Sequence, residues 1–441
     1  MKSPTRAALL ALVATLACSR SRRTPARAPA ARAATAAPSP RTPAWTQAYR
    51  LRTRAFDFEP WPDAVVHAPA GFDASRPLHL VVVFHGLGHS ALVWIGGGLP
   101  SPVDGRPIVG WGGEVRHDMA ATNTLLVALQ FEIRPGRPHL GRYAQRGTLA
   151  RVLTELLGEA LAPRIGRRAL SDVAAMTLVG SSAGGPAIAT FLARHELDDK
   201  VQNVVLYDAL YGSEATFASW MRASTPERPR RLVCLHAGSR YTKPSADRLA
   251  ALLRPSLGDA LAVQPRGAMT EAVRAHRAVF AVVDCEHICM GLAFFDKVLA
   301  GLALPPRAPD PDPKEPIPGA APQGGELRRE ARVQGVLDAR DAVLRDGSAY
   351  EDWTLALARG ERVTIELAGG QVRGFLCHAL DVELRVLDGD AALTNDDDSG
   401  GSLRSRVTFT APRDGRFTVR VMTHGPWANL GPWTLTVAPA D

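Results

Sequence analysis

Two hydrophobic rhythms run along the chain, one on each side of a proline-rich stretch. In the first, short and mostly apolar runs come at 78–84, 177–179, 203–207, 231–235 and 278–283. A run of this length without alternation fits a strand buried on both faces, as in a parallel sheet. Residues 186–192 and 290–302 follow two of these runs with helix-like patterns, and strands alternating with helices predict an α/β sheet wound on both faces. Beyond residue 330 the period becomes two. Val363, Ile365 and Leu367, then Val382, Leu384 and Val386, Val407 and Phe409, Phe417, Val419 and Val421, and finally Trp433, Leu435 and Val437 alternate with polar residues. Such strands bury one face and wet the other, which predicts an all-β sandwich. From 305 to 325 prolines recur at nearly every second or third position, then give way to Gly and Gln. That composition favours an extended, semi-rigid spacer. The plan is therefore a domain at 45–304, a linker at 305–327 and a sandwich at 328–441, with few contacts across the linker and with residues 45–305 able to fold alone.

The run at 177–179 leads directly into Gly180-Ser181-Ser182-Ala183-Gly184, a G-x-S-x-G, and then into a helix. A serine at a sharp strand-to-helix turn is held in a strained conformation, and Gly180 and Gly184 let the chain pass. Ser182 is the candidate nucleophile, and the turn presents the N–H of Ala183 to an oxyanion. The spacing alone is weak; the strand before it and the helix after it give it weight. Upstream, the run at 78–84 ends in His85-Gly86-Leu87. The plain reading is a histidine capping a core strand; beside the serine turn, a loop near a reaction centre is favoured.

Residues 67–73, His-Ala-Pro-Ala-Gly-Phe-Asp, followed by Pro77 and the strand ending in His85-Gly86, resemble the polyhydroxybutyrate-depolymerase and feruloyl-esterase branch of the α/β-hydrolases. The resemblance covers roughly residues 55 to 305. It implies an α/β-hydrolase doubly wound, mostly parallel sheet, with the N–H of Leu87 joining that of Ala183 in an oxyanion hole. It also implies the triad order Ser, acid, His. The late histidine that fits is His287, in the loop after the strand at 278–283, where a neutral imidazole can take the Ser182 proton and return it to the leaving group. The bland alternative is a surface loop histidine. The strand at 231–235 has no carboxylate in the loop that follows it, a departure from the common pattern. One strand earlier, residues 203–207 end in Asp208, which is chosen as the acid. Asp247 is the alternative acid, although a carboxylate in the first turn of a helix is usually explained by the helix dipole. Asp284 and Glu286 stand too close to His287 in sequence to face its ring easily.

The segments Tyr350-Glu351-Asp352-Trp353, 360–365, 381–384, 395–398, 405–409 and 415–419 resemble the bacterial pre-peptidase C-terminal domain. That resemblance implies a small jelly-roll appended to a secreted hydrolase and associated with export, surface attachment or adhesion. The insertion at 372–378 departs from its usual spacing. Asp396, Asp397 and Asp398 on one predicted turn are candidate calcium ligands, since neighbouring carboxylates repel unless a cation or hydrogen bonds offset them. Turn residues bonding to their own backbone are the preferred explanation.

Composition bounds the rest. A length of 441 residues and 46% apolar content suffice for two cores. Eleven Lys and Arg precede the first acidic residue, Asp57; taking those eleven from the net charge of +8 leaves the remainder at −3. The basic excess lies in the N-terminal arm, which argues against a nucleic-acid partner. Residues 1–18 have a charged start, an apolar stretch and a small residue before Cys18, the layout of an export signal. Thr15-Leu16-Ala17-Cys18 resembles a lipobox, so a lipid anchor at Cys18 and a freely secreted form both stay open. Residues 19–44, rich in Arg, Ala and Pro, read as a disordered tether. Cys234 with Cys285, Cys285 with Cys289, or buried free thiols are all compatible with an oxidising compartment. No Cys/His spacing matches a zinc site, so neither a catalytic metal nor a cofactor is expected. The expected function is an exported serine hydrolase acting on a soluble, polymeric or cell-surface carboxylic ester. Amide or peptide hydrolysis on the same triad, and a non-catalytic surface-binding protein, stay open as alternatives.

Overall fold

Strand Leu78–Phe84 shows why the mostly apolar runs become the centre of the molecule. Leu80, Val82 and Phe84 point into one core, while Val81 and Val83 point into another on the opposite face of the sheet. With side chains alternating across the strand, both faces must be apolar for the strand to sit between two layers of helices. The structure is a computed structural model that describes residues 43–441 except 56–59, 88, 97–98, 100, 103–111, 132–139, 284–286, 288–289, 308–321, 323, 338–340, 345–347, 371–379, 398, 401–403, 425–430 and 441. The expected export signal with Cys18, most of the expected tether and linker, Asp284, Cys285, Glu286, Cys289, Cys377 and Asp398 lie outside the described residues.

The first sheet contains β1 (Trp45–Tyr49), β2 (Ala64–Ala68), β3 (Leu78–Phe84), β4 (Leu125–Leu129), β5 (Val173–Ser181), β6 (Val201–Tyr207), β7 (Arg231–His236), β8 (Leu261–Val263) and β9 (Ala278–Val282). Their order is β1-β2-β4-β3-β5-β6-β7-β9-β8. Only the β1–β2 and β2–β4 pairings are antiparallel; the others run parallel. This is the mostly parallel, doubly wound sheet that the sequence predicted. The chain moves outward from β3 to β4 and then returns to the other side of β3 with β5, so the carboxyl ends of β3 and β5 flank a switch point. Open α/β sheets bind ligands at such crevices. The helical pattern at 290–302 is realised as two pieces, Met290–Ala293 and Phe295–Gly301, broken at Phe294.

The C-terminal part is a sandwich, as its period of two requires. One sheet orders β10 (Glu326–Leu327), β13 (Ala349–Leu357), β18 (Gly415–Thr423), β15 (Val382–Asp388) and β16 (Ala391–Asp396), with β12 (Ala342–Val343) against β13. The other orders β11 (Arg332–Leu337), β19 (Gly431–Pro439), β14 (Arg362–Gly369) and β17 (Arg404–Thr410). Ile365, Leu367, Val382, Leu384, Phe417, Val419 and Trp433 fill the space between them. Asn395 and Asp396 end a strand instead of forming the predicted turn. Asp396 accepts the backbone N–H groups of Ser399 and Arg406, and Asp397 lies 3.7 Å from the Lys297 ammonium. These two calcium candidates therefore already have partners that offset their charge.

The expectation of few contacts across the linker does not hold. Residues 42–441 form one unit, and buried charges bridge its two parts. His424 places Nε2 2.7 Å from Asp296 Oδ2 and Nδ1 3.2 Å from Glu383 Oε2. Arg116 reaches Asp381 at 3.2 Å and Asp296 at 3.6 Å; Lys297 lies 3.7 Å from Asp381. Both ring nitrogens of His424 face carboxylates, so each carries a proton and the ring is an imidazolium. These carboxylates raise its pKa to about 9 against the opposing effect of burial. Asp296, Asp397 and His424 have the mutual spacing of metal ligands, but Arg116 and Lys297 already bring positive charge to them.

Candidate active site

Three glycines let β5 turn into the helix Gly184–Ala193 with a serine at the tip. Ser182 has φ of 49° and Asp208 one of 45°, both in the left-handed region that costs a side-chain-bearing residue about 1–3 kcal/mol. A Cβ on Gly180 would come within 3.0 Å of the Gly184 carbonyl carbon and the Gly185 nitrogen. On Gly184 it would collide with the Phe84 carbonyl oxygen, and on Gly185 with that of Ala209. Gly185, which sequence reasoning passed over, is thus required by the close approach of the chain after β6. The strained turn is tied down by Ser182 N–H donating to the Tyr207 oxygen at 3.1 Å and Gly185 N–H to the Ser182 oxygen at 3.1 Å.

On the β3 side, Leu87 and Ala183 both line a cleft of about 210 Å³ together with His85, Gly86, Phe131, Leu140, Pro186 and Thr190. Leu87 and Ala183, whose N–H groups are the expected oxyanion donors, thus line a mostly apolar recess. His85 is fully buried and neutral, its pKa pushed down to about 4 by burial. Its Nδ1 donates to the Gly86 oxygen at 2.8 Å, and Nε2 accepts the Phe131 N–H at 3.0 Å. The ring therefore ties the Gly86–Leu87 loop to the end of β4: it caps a core strand and braces the candidate oxyanion loop at once. His85→Phe is expected to orphan the buried Phe131 N–H and lower stability by about 1–3 kcal/mol. Urea unfolding checks this, and an unchanged midpoint would show that the bond contributes nothing.

On the β6 side, Asp208 Oδ2 lies 2.6 Å from His287 Nδ1, and Thr242 donates its hydroxyl to the other carboxylate oxygen. Asp208 is almost completely buried, whereas the His287 side chain is 39% exposed. Burial raises the Asp208 carboxyl, but the hydrogen bonds from His287 and Thr242, the His287 charge and the Ala237 N–H outweigh it and hold its pKa below the ordinary value. Asp247, the alternative acid, instead pairs with Lys243 at 2.6 Å on the exposed face of helix Lys243–Leu257. The loop after β7 has no carboxylate for this site; it contributes Thr242, a hydroxyl that holds the acid.

Two further side chains stand at the site without having been legible in the sequence. The Tyr211 pKa is raised by burial and by the Asp208 charge, against an opposing effect of the Ser182 side chain. His89 lies near His287, and burial together with the His287 charge lowers its pKa. Cys234 is a buried free thiol. No helix among the described residues is long and apolar enough to cross a membrane.

Residues 349–423 match the family model of the bacterial pre-peptidase C-terminal domain. Among solved structures, the chain is similar to the pre-peptidase C-terminal domain of a Bacillus anthracis collagenase, at 12% identity over 26% of this chain and 96% of that one, with a TM-score of 0.21. It is similar to a feruloyl esterase module from Clostridium thermocellum at 10% identity over 60% of this chain and 89% of the module, with a TM-score of 0.39. A Bacillus licheniformis lipase in its propeptide form matches at 10% identity over 90% of this chain and 79% of its own, with a TM-score of 0.28. No curated protein matches the sequence.

Proposed function

We propose that residues 45–304 hydrolyse a carboxylic ester through an acyl-enzyme on Ser182. The carrying observation is the 2.6 Å bond between His287 Nδ1 and Asp208 Oδ2, made by residues 79 positions apart in sequence. It fixes the imidazole tautomer that carries its proton on Nδ1 and leaves Nε2 free to accept. In the first half-reaction the Ser182 hydroxyl oxygen attacks the carbonyl carbon and its proton passes to His287 Nε2. The carbonyl oxygen takes the negative charge and the N–H groups of Leu87 and Ala183 stabilise it. The C–O bond to the alcohol then breaks, and the alcohol oxygen leaves with the proton from His287. Water repeats the sequence in reverse, releasing the acid and restoring Ser182. The apolar cleft beside Leu87 and Ala183 suits the acyl chain.

A fluorophosphonate probe is expected to label Ser182, with Ser182→Ala abolishing both labelling and turnover of p-nitrophenyl esters. Labelling at the neighbouring Ser181, which is buried, would overturn the assignment of the turn. Esters of graded acyl length, run beside the matching p-nitroanilides, report the acyl preference and separate ester from amide hydrolysis.

A further inference from the structure

We infer that the outer face of the four-stranded sheet of the sandwich, β11-β19-β14-β17, is a docking surface for an acidic polysaccharide, a chain rich in uronate sugars. The inference stands apart from the chemistry at Ser182 and concerns what the sandwich holds.

The alternation that builds the sandwich core also builds this face. Val363, Ile365 and Leu367 of β14 and Val407 and Phe409 of β17 point into the core, so the residues between them point to solvent. Register sets those residues in rows across the strands. Arg332, Thr436, Glu366 and Arg406 stand side by side in one row. The row on one side of it contains Gln334, Thr434, Ala368 and Arg404, and the row on the other contains Ala438, Thr364 and Thr408. Arg362 stands one row further on, opposite Thr410. A depression of about 330 Å³ lies in this face, with Arg362, Thr364, Glu366, Arg406, Thr408 and Thr436 in its lining.

Charge is distributed differently on the two sheets. The larger sheet matches its arginines with carboxylates: Arg416 lies 2.6 Å from Glu326, Arg420 2.7 Å from Asp352 and Arg385 3.2 Å from Glu383. On the outer face of the four-stranded sheet, four arginines stand with one carboxylate among the described strand residues, which gives the face a net charge of +3. That carboxylate is Glu366, 3.2 Å from Arg406. The chain beyond residue 56 carries −3 in all, so a basic face on an acidic body draws anions to one place.

Between the arginines the face offers hydroxyls and an amide. The Thr364 and Thr408 hydroxyls share a hydrogen bond of 3.3 Å, and the Gln334 amide donates to Thr434 Oγ1 at 3.4 Å; these groups keep further donor and acceptor capacity. Arginine holds a carboxylate through two parallel N–H bonds, and Thr and Gln bond to hydroxyls, so the set fits carboxylates borne on a hydroxyl-rich chain. A lipid surface is held by buried apolar area as well as charge, and the large exposed hydrophobic on this face is Val336 alone, on the edge strand β11. Single-stranded nucleic acid is held by aromatic platforms, and the outward residues of these rows are not aromatic.

The test measures binding of the full chain to immobilised polygalacturonate and alginate, with neutral dextran as control, beside the variant Arg362→Gln/Arg404→Gln/Arg406→Gln. The basic N-terminal arm is the same in both proteins, so their difference reads the face. Affinity for the two polyuronates is expected to fall about tenfold in the variant at low salt, and the difference to close as salt is raised. The urea midpoint and turnover of p-nitrophenyl butyrate should stay unchanged, because the substituted side chains are exposed and far in sequence from Ser182. Polygalacturonate should also protect Arg404 and Arg406 of the unaltered chain from phenylglyoxal, read by mass spectrometry, which needs no variant. Equal affinity of the two proteins would assign the binding to the arm, and equal retention on dextran would make it a site for neutral sugar. Binding to phosphatidylglycerol vesicles that the variant loses, with none to the polyuronates, would assign the face to a lipid surface. Each of these results, or a full chain that binds neither polyuronate, overturns the inference. A chain without esterase activity would overturn only the hydrolase reading, since binding is measured without turnover.

Discussion

Asp208→Asn is expected to lower the acylation rate by about four orders of magnitude, with stability little changed. The amide retains the shape of the carboxylate but can donate toward Nδ1, favouring the tautomer with its proton on Nε2, where it cannot take the Ser182 proton; it also loses the charge that stabilises the imidazolium formed during attack. The bond from Thr242 helps to hold the substituted side chain in place, so the loss should appear in kcat far more than in KM. Asp247→Asn, on the exposed helix with Lys243, should cost little. Stopped-flow acylation by a p-nitrophenyl ester measures both. Reversed effects would move the acid to the loop after β7.

The second large effect lies between the first sheet and the sandwich. Breaking a buried charge pair by removing one partner costs about 3–5 kcal/mol, and His424→Gln removes the cation that Asp296, Glu383 and Asp397 share. The sign of the pH dependence follows from the shift. His424 has its folded pKa raised to about 9, so its contribution is complete below the unfolded value near 6.5 and is lost as pH rises through 9. Asp296 is held well below the ordinary carboxylate range, where burial is outweighed by His424, Arg116 and Lys297. Its contribution is therefore present at neutral pH and lost only in strong acid. Urea unfolding of the full chain is expected to show a fall of order 3 kcal/mol between about pH 6.5 and 9.5, absent in His424→Gln. Parallel curves for the two proteins would remove His424 from the linkage. Because these pairs also reach the helix Phe295–Gly301, which follows the His287 loop, residues 45–305 taken alone should be less stable than the same residues in the full chain. They are still expected to fold alone, with less stability than in the full chain.

What could be read from the sequence was local. Apolar runs and their alternation depend on side chains within one strand, and they announced the buried strands and the change of architecture after the linker. The serine turn was legible because its strain is relieved by glycines two residues away, and Asp208 because it ends a strand. Strand β16 escaped because its residues are mostly exposed, with no apolar face to give it a period; its last two residues were read as a turn. Helix 290–302 was read as continuous because its pattern does not show the break at Phe294. Tyr211, Thr242 and Gly185 look like ordinary loop and helix residues until the sheet order sets the ends of β5, β6 and β7 side by side. The ionic bridge was the least legible, since single charges at Arg116, Asp296, Asp381 and His424 read as solvated positions. Their pairing spans 265 residues in one case and 128 in another. The sequence by itself determined which segments form strands and where the chain turns sharply, because those choices depend on neighbours a few residues apart. Only the tertiary structure decided which charges are buried and what surrounds Ser182, because both depend on which faces meet.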